Sequence, residues 1–376
     1  MKKVCFLAVA AVMLFASHPA LARIKLTALP DRQTMGAKLA AGQPTLVEEE
    51  RVLSLQAGTN HVDFSWKGVF VDTDSIRIRM LDHPDQVALI NVGYPPKENA
   101  LTWRIYCKAA LAERVRISYL LHHIDSLVAY QTLADKEETA MEMKVYAVLR
   151  NFSGEQMKNA RFAMDFGPTL RSDLADGETK RILLTKAEKI PIQKEFTFDA
   201  RLLPWDPEKQ QGNVGIPLRY VLDNTKKHGL GTFTIEAGKV RLFQKDGHGS
   251  QIFLGEDTIA ERVFTGGKVK LTVGDSRDIV VTQRMTDRKK KNIRRNRKNR
   301  VVLYDLEETL SVRVENFKEK PCVLRLVETI EGEWQMVDAP EPYEKETNET
   351  IVFSLKLTPK EKKNFSFTYL KKHLRK

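Results

Sequence analysis

The sequence predicts an all-β chain: two antiparallel β-sandwich-like domains, with a basic hairpin loop in the second. Three observations carry that expectation. Apolar side chains recur at every second position in many short stretches, which places them on one face of a sheet. Gly, Asn, Asp and Pro separate those stretches, the punctuation of sandwiches and barrels. No βαβ rhythm and no long helical stripe interrupts them. The 376 residues exceed a usual single domain, so two domains are expected.

The alternation can be followed along the chain. Val62, Phe64 and Trp66 alternate with polar neighbours, as do Ile76, Ile78 and Met80. Val115, Ile117 and Tyr119 repeat the pattern, and Met141, Met143, Val145, Ala147 and Leu149 extend it. It returns at Val240 and Leu242, at Val269, Leu271 and Val273, and at Val312 and Val314. Ile351, Phe353, Leu355 and Leu357 close the series. A short helix is expected over residues 31–41, stopped by Gly42. Periodicity is weakest over residues 167–215, which hold Pro168, Pro191, Pro204 and Pro207. That stretch is expected to connect a first domain, 23–166, to a second, 216–376.

Residues 1–22 have the pattern of a cleaved secretory signal. Lys2 and Lys3 precede an unbroken apolar run of 13 residues, and Ala20-Leu21-Ala22 offers small residues for cleavage after Ala22. The run is too short to span a bilayer, and no other stretch reaches that length. A periplasmic or secreted protein is therefore expected, with no transmembrane helix in the mature chain. Cys107 and Cys322 would survive cleavage; export permits a disulfide between them, and two separate buried thiols fit equally well.

The charge is local. The chain carries a formal +12. Residues 288–300 read RKKKNIRRNRKNR, with nine cations and no acid, leaving +3 for all the rest. Arg288, Lys289, Lys290, Lys291, Arg294, Arg295, Arg297, Lys298 and Arg300 are the candidate anion-binding residues. Strand patterns flank the run, so it is expected as a projecting, mobile hairpin loop. A solvated loop is the plainer reading. Export and the lack of aromatic interleaving argue against nucleic acid. They leave anionic lipid, lipopolysaccharide or acidic polysaccharide, or an envelope protein partner.

Chemistry-bearing motifs are sparse. The chain lacks a Gly-x-Ser-x-Gly elbow, HExxH, a phosphate loop and GxGxxG. No catalytic residue, metal or cofactor is expected. His122, His123 and Asp125 are the nearest approach to a metal cluster, but adjacent strand residues face opposite ways. Asp72 and Asp74 suit acid–base work or Ca²⁺, and suit a turn better. Glu256 and Asp257 after Gly255 read the same way. Trp205, beside Pro204, is the candidate for an exposed sugar platform, whereas Trp66 fits a core face.

Several ordered pieces together resemble one family. They begin with Leu53-Ser-Leu-Gln-Ala-Gly-Thr-Asn60, Asp72-Thr-Asp-Ser-Ile76, Leu101-Thr-Trp103 and Val115-Arg-Ile-Ser-Tyr-Leu120 with Ala129-Tyr130. Leu149-Arg-Asn-Phe-Ser-Gly-Glu155, Gly229-Leu-Gly231, Ala237-Gly-Lys-Val-Arg-Leu-Phe243 and Leu254-Gly-Glu256 follow, then Val273-Gly-Asp275 and Glu315-Asn316. The chain thus resembles the bacterial domain-of-unknown-function family that forms the C-terminal part of mucoidy-inhibitor-A-like proteins. The resemblance implies an all-β, extracytoplasmic protein. It supplies no catalytic residue, and the coiled coil of the larger relatives is missing here.

The expected function is a non-catalytic, exported envelope protein that binds or scaffolds other components through its basic loop. The alternative is a hydrolase of envelope polysaccharide using carboxylates such as Asp72, Asp74 or Glu256, which would have to face each other across a cleft. A third reading is an assembly subunit that pairs through exposed strand edges.

Overall fold

The computed structural model describes residues 26–27, 29–40, 42–202, 215–228 and 230–375. The signal pattern over residues 1–22 and Trp205 lie outside the described residues. Almost all of the described chain is β-structure; its one helix is a 3-10 turn at Lys226–His228. No helix of the described residues is long and apolar enough to cross a membrane.

The strands run in chain order as β1 (Leu26–Thr27), β2 (Thr34–Leu39), β3 (Thr45–Leu55), β4 (Gly58–Ser65), β5 (Val71–Met80), β6 (Val87–Gly93), β7 (Ala100–Cys107) and β8 (Leu111–Leu121). Next come β9 (Ile124–Ala134), β10 (Ala140–Asn151), β11 (Met157–Met164), β12 (Leu170–Leu174), β13 (Thr179–Pro191), β14 (Gln193–Asp199) and β15 (Ile216–Asp223). After them lie β16 (Gly238–Lys245), β17 (Gln251–Ile259), β18 (Lys268–Ser276), β19 (Ile279–Arg295) and β20 (Val301–Asn316). The last are β21 (Cys322–Thr329), β22 (Trp334–Asp338), β23 (Tyr343–Lys345), β24 (Thr350–Leu357) and β25 (Lys362–Arg375).

These strands form two compact units. Unit 1 comprises Met1–Asp125, Arg150–Asp165 and Thr169–Thr179; unit 2 comprises Ser126–Leu149, Phe166–Pro168 and Lys180–Lys376. Unit 1 holds a four-stranded sheet, β1-β4-β7-β6, and a six-stranded sheet, β12-β11-β2-β3-β8-β5. Phe64 of β4 packs its ring 5.4 Å from Trp103 of β7 and 5.7 Å from Tyr119 of β8. Those contacts join the inner faces of the two sheets into one sandwich.

Unit 2 holds three sheets: β13-β10-β9-β16-β17, β18-β15-β14-β21-β24-β23 and β19-β20-β25-β22. One core gathers Tyr130, Met143 and Val240 with Tyr220, Leu222 and Leu271. A second gathers Phe196, Leu324 and Phe353 with Val312, Phe365 and Phe367. The six-stranded sheet contributes to both.

Residues 31–41 contain strand β2 rather than a helix. Met35, Ala37 and Leu39 are buried at alternate positions, a period of two that the neighbouring Gly and Thr obscured. The supposed connection over residues 167–215 carries β12, β13 and β14. β13 is an edge strand with few buried side chains, so burial imposes little alternation on it. The contact division is also discontinuous in sequence: residues 126–149 belong with the C-terminal half. That exchange leaves no mark on local patterning.

Candidate anion-binding hairpin

The run at residues 288–300 is mostly strand and not loop. β19 and β20 pair antiparallel from Ile279↔Asn316 out to Arg295↔Val301. Only residues 296–300 form the tip. There Asn296 Oδ1 accepts the Lys298 and Arg300 amides at 2.9 and 3.0 Å, and the Asn296 amide donates to the Arg300 carbonyl at 2.9 Å. Asn292 and Asn299 adopt left-handed backbone, φ 50° and 56°, which asparagine tolerates better than most residues. Asparagines among the cations thus shape the tip and the register shifts before it.

The inner part of the hairpin belongs to the sandwich. Ile279, Val281 and Gln283 are buried on alternate positions, and Leu306 and Glu308 are the outermost buried residues of β20. Beyond them every β19 residue from Arg288 to Arg295 is exposed. β25 continues alongside, with Tyr304 opposite Leu374 and Leu303 opposite Arg375.

The nine cations divide into two groups. Near the base, Arg288 Nε lies 3.1 Å from Glu308, Lys291 Nζ lies 3.3 Å from Glu307, and Lys289 pairs with Asp287. The Asp287 carboxyl is held below its ordinary range, chiefly by that Lys289 bond. Lys290 stands over the Tyr304 ring at 4.5 Å. At the tip, Arg294, Arg295, Arg297, Lys298 and Arg300 make no ion pair among the described residues; Arg295 donates only to the Asn299 carbonyl, at 3.0 Å. Exposed Ile293 and Val302 sit among these tip cations.

The patch includes residues outside the run. Lys371 Nζ reaches Glu308 at 3.3 Å. The register of β25 also carries Lys372 and Arg375 along the outer hairpin. Sequence reasoning missed them because they lie some seventy residues downstream of the run. The signal was the last alternating strand, Phe365, Phe367 and Tyr369, running straight into Lys371-Lys-His-Leu-Arg375.

Below the patch lies a buried polar group. Glu308 is clasped by Arg288, Lys371 and the Tyr369 hydroxyl. Glu328 accepts a bond from Gln283 Nε2 at 2.8 Å. Burial pushes the Glu328 carboxyl up to about 7, opposed by the Gln283 bond and Lys371 and reinforced by Asp199 and Glu308. Both carboxyls are almost fully covered, so they serve the architecture of the arm's base and are shut off from a substrate.

The other candidate residues are engaged locally. Asp72 Oδ1 accepts the Asp74 amide at 3.2 Å, and Ser75 Oγ donates to the Asp72 carbonyl at 2.5 Å, a turn at the bulge of β5. Glu256 is gripped by Arg241 at 2.7 Å and Lys239 at 3.0 Å, and the Arg241 bond leads in lowering its pKa. Asp72 and Asp74 lie in unit 1 and Glu256 in unit 2. Arg150 forks the Asp125 carboxylate at 2.8 and 2.5 Å, and His122 and His123 are both exposed. Cys107 and Cys322 are free, buried thiols, and burial raises that of Cys322 to about 11. Trp66, Trp103 and Trp334 are buried.

No protein-family model matches this chain, and a comparison with curated proteins finds no match either.

Proposed function

We propose that this is an exported, non-catalytic envelope protein that binds or scaffolds other components, with the outer β19–β20 hairpin as its contact to an anionic surface. The observation that carries the reading is the division of the basic run. Arg288, Lys289 and Lys291 are neutralised by acids of the hairpin itself and Lys290 stands over the Tyr304 ring, whereas Arg294, Arg295, Arg297, Lys298 and Arg300 lack carboxylate partners among the described residues. Exposed Ile293 and Val302 give the same tip apolar side chains that can enter a headgroup layer. That combination favours anionic lipid or lipopolysaccharide over a purely polar chain. The leader pattern of residues 1–22 supports export, and the resemblance to the mucoidy-inhibitor-A-like family agrees with an envelope location.

Five cations near an anionic surface contribute at most about 5 kcal/mol together, less as salt rises. The chain should therefore sediment with vesicles rich in phosphatidylglycerol and stay free of phosphatidylcholine vesicles at low ionic strength. Binding should fall steeply by about 0.5 M salt. Changing the five tip residues to Ser should abolish it without moving the thermal midpoint. Equal sedimentation with both lipids, or full binding by the Ser variant, would refute the contact.

A further inference from the structure

We propose that the outer face of the six-stranded sheet in unit 1 carries a second, separate site, one for an acidic saccharide centred on Arg161 and Arg171. In the β11–β12 ladder these two residues stand directly opposite each other. Both are exposed, and neither side chain makes an ion pair or hydrogen bond among the described residues. Cross-strand neighbours leave the sheet about 5 Å apart, where like charges oppose pairing. An acid at either position would serve the fold better. A carboxylate ligand between the two guanidinium groups supplies the missing charge, in the forked geometry that arginine favours.

The next residue along the same row is Gly36 on β2, and the one after it is Glu48 on β3. Nothing in the backbone requires that glycine. A Cβ there would come no closer than 3.9 Å to the Arg161 and Glu48 carbonyls, and its φ lies outside the left-handed region. The missing side chain instead helps open a polar groove of about 440 Å³ over the sheet. Thr34, Lys38, Asn159 and Thr169 also line it.

The groove's own acids decide which anion fits. Glu50 is bound by Arg116 at 2.6 Å, and Glu48 lies 3.6 Å from Lys38. These pairs cancel and leave the two arginines as the uncompensated charge. The glutamate oxygens still have lone pairs free to accept hydroxyls, but they would repel a dense polyanion. A ligand with many hydroxyls and a carboxylate on its ring matches both halves of the groove. That is the chemistry of a uronic acid oligomer. The site lies in unit 1 and the basic hairpin in unit 2, so each stands or falls without the other.

The test is calorimetric titration of the full chain with trigalacturonate, maltotriose and inorganic phosphate at low salt. Trigalacturonate should bind at least about tenfold more tightly than maltotriose or phosphate, the scale of losing one charge-assisted bond. Arg161→Gln and Arg171→Gln should each weaken it about tenfold. Gly36→Thr, which fills the groove without touching a charge, should do likewise. All three variants should keep or raise the thermal midpoint, and the five-Ser tip variant should bind as the parent does. The assignment fails if trigalacturonate does not bind, or if maltotriose binds equally. It fails also if phosphate alone matches trigalacturonate, which would make this a free-phosphate site. Unchanged affinity in the three variants, or a lowered midpoint in the arginine variants, overturns it too, the latter by making the pair structural.

Discussion

Glu328 shows how one residue sets a pH dependence for the whole C-terminal sandwich. Its folded pKa, about 7, stands above the ordinary value of 4.5 for a glutamate. Below about pH 4.5 both folded and unfolded chains hold the proton, and the contribution is fully present. Between that value and pH 7 the unfolded chain releases the proton first, so stability falls as pH rises. The loss totals about 3 kcal/mol. Glu328→Gln keeps the bond to Gln283 in a neutral side chain and should abolish that decline. Urea midpoints of both proteins at pH 5 and pH 8 measure it; a parallel decline in the Gln variant would rule Glu328 out as the source. Asparagine works at the same scale. Asn151 is buried and donates to the Glu155, Leu174 and Ala175 carbonyls, and Asn316 donates to those of Lys320 and Thr358. Both stand at strand ends and are followed by Phe. Gly154, at φ +81°, completes the first turn, where a Cβ would run into the Gly68 carbonyl. Asn151, Gly154 and Asn316 are therefore turn builders. The sequence could reveal them as such but could not attach an activity to them.

At the scale of the element, burial decided what was legible. β10 is buried at every second residue and could be read from Met141, Met143, Val145, Ala147 and Leu149. β13, at an edge, could not, and β2 lies in a stretch whose local pattern suggests a helix. The hairpin was legible as charge but misplaced as loop, because like charges argue locally against order while Glu307, Glu308 and Asp305 arrive from the facing strand. The groove at Arg161 and Arg171 was invisible for the same reason: only register brings the two together. β6 raises a different matter. It ends its sheet, and its seven residues, VALINVG, carry no charge. Leu89, Ile90 and Val92 are all more than a third exposed, with Tyr94 and Tyr106 nearby. Edges like this invite pairing with another strand. We expect the chain to self-associate through β6 at high concentration, and Ile90→Lys to shift it toward monomer in light scattering. A monomeric parent at millimolar concentration would show that this edge does not recruit a second copy.

Across the whole molecule, the all-β class follows from alternation, but the assignment of strands to units does not. Several parallel pairings close over long distances. Ala129 of β9 lies opposite Lys239 of β16, and Glu195 of β14 lies opposite Val323 of β21. Local patterns hold no trace of such partners. During refolding, amides of the β19–β20 hairpin should gain protection in pulsed hydrogen exchange before those of Tyr130 and Val240. Simultaneous protection of both sets would contradict that order.

The β9–β16 pairing has a consequence for a full-length chain refolding from denaturant. A hairpin closes in roughly 1–10 μs, whereas sheets joined across a hundred residues take milliseconds to seconds. The basic arm can thus be complete while β9 still waits for its neighbour. During that interval the partly folded chain bears a formed, strongly cationic arm, and mutual repulsion should keep refolding copies apart until the last strands arrive.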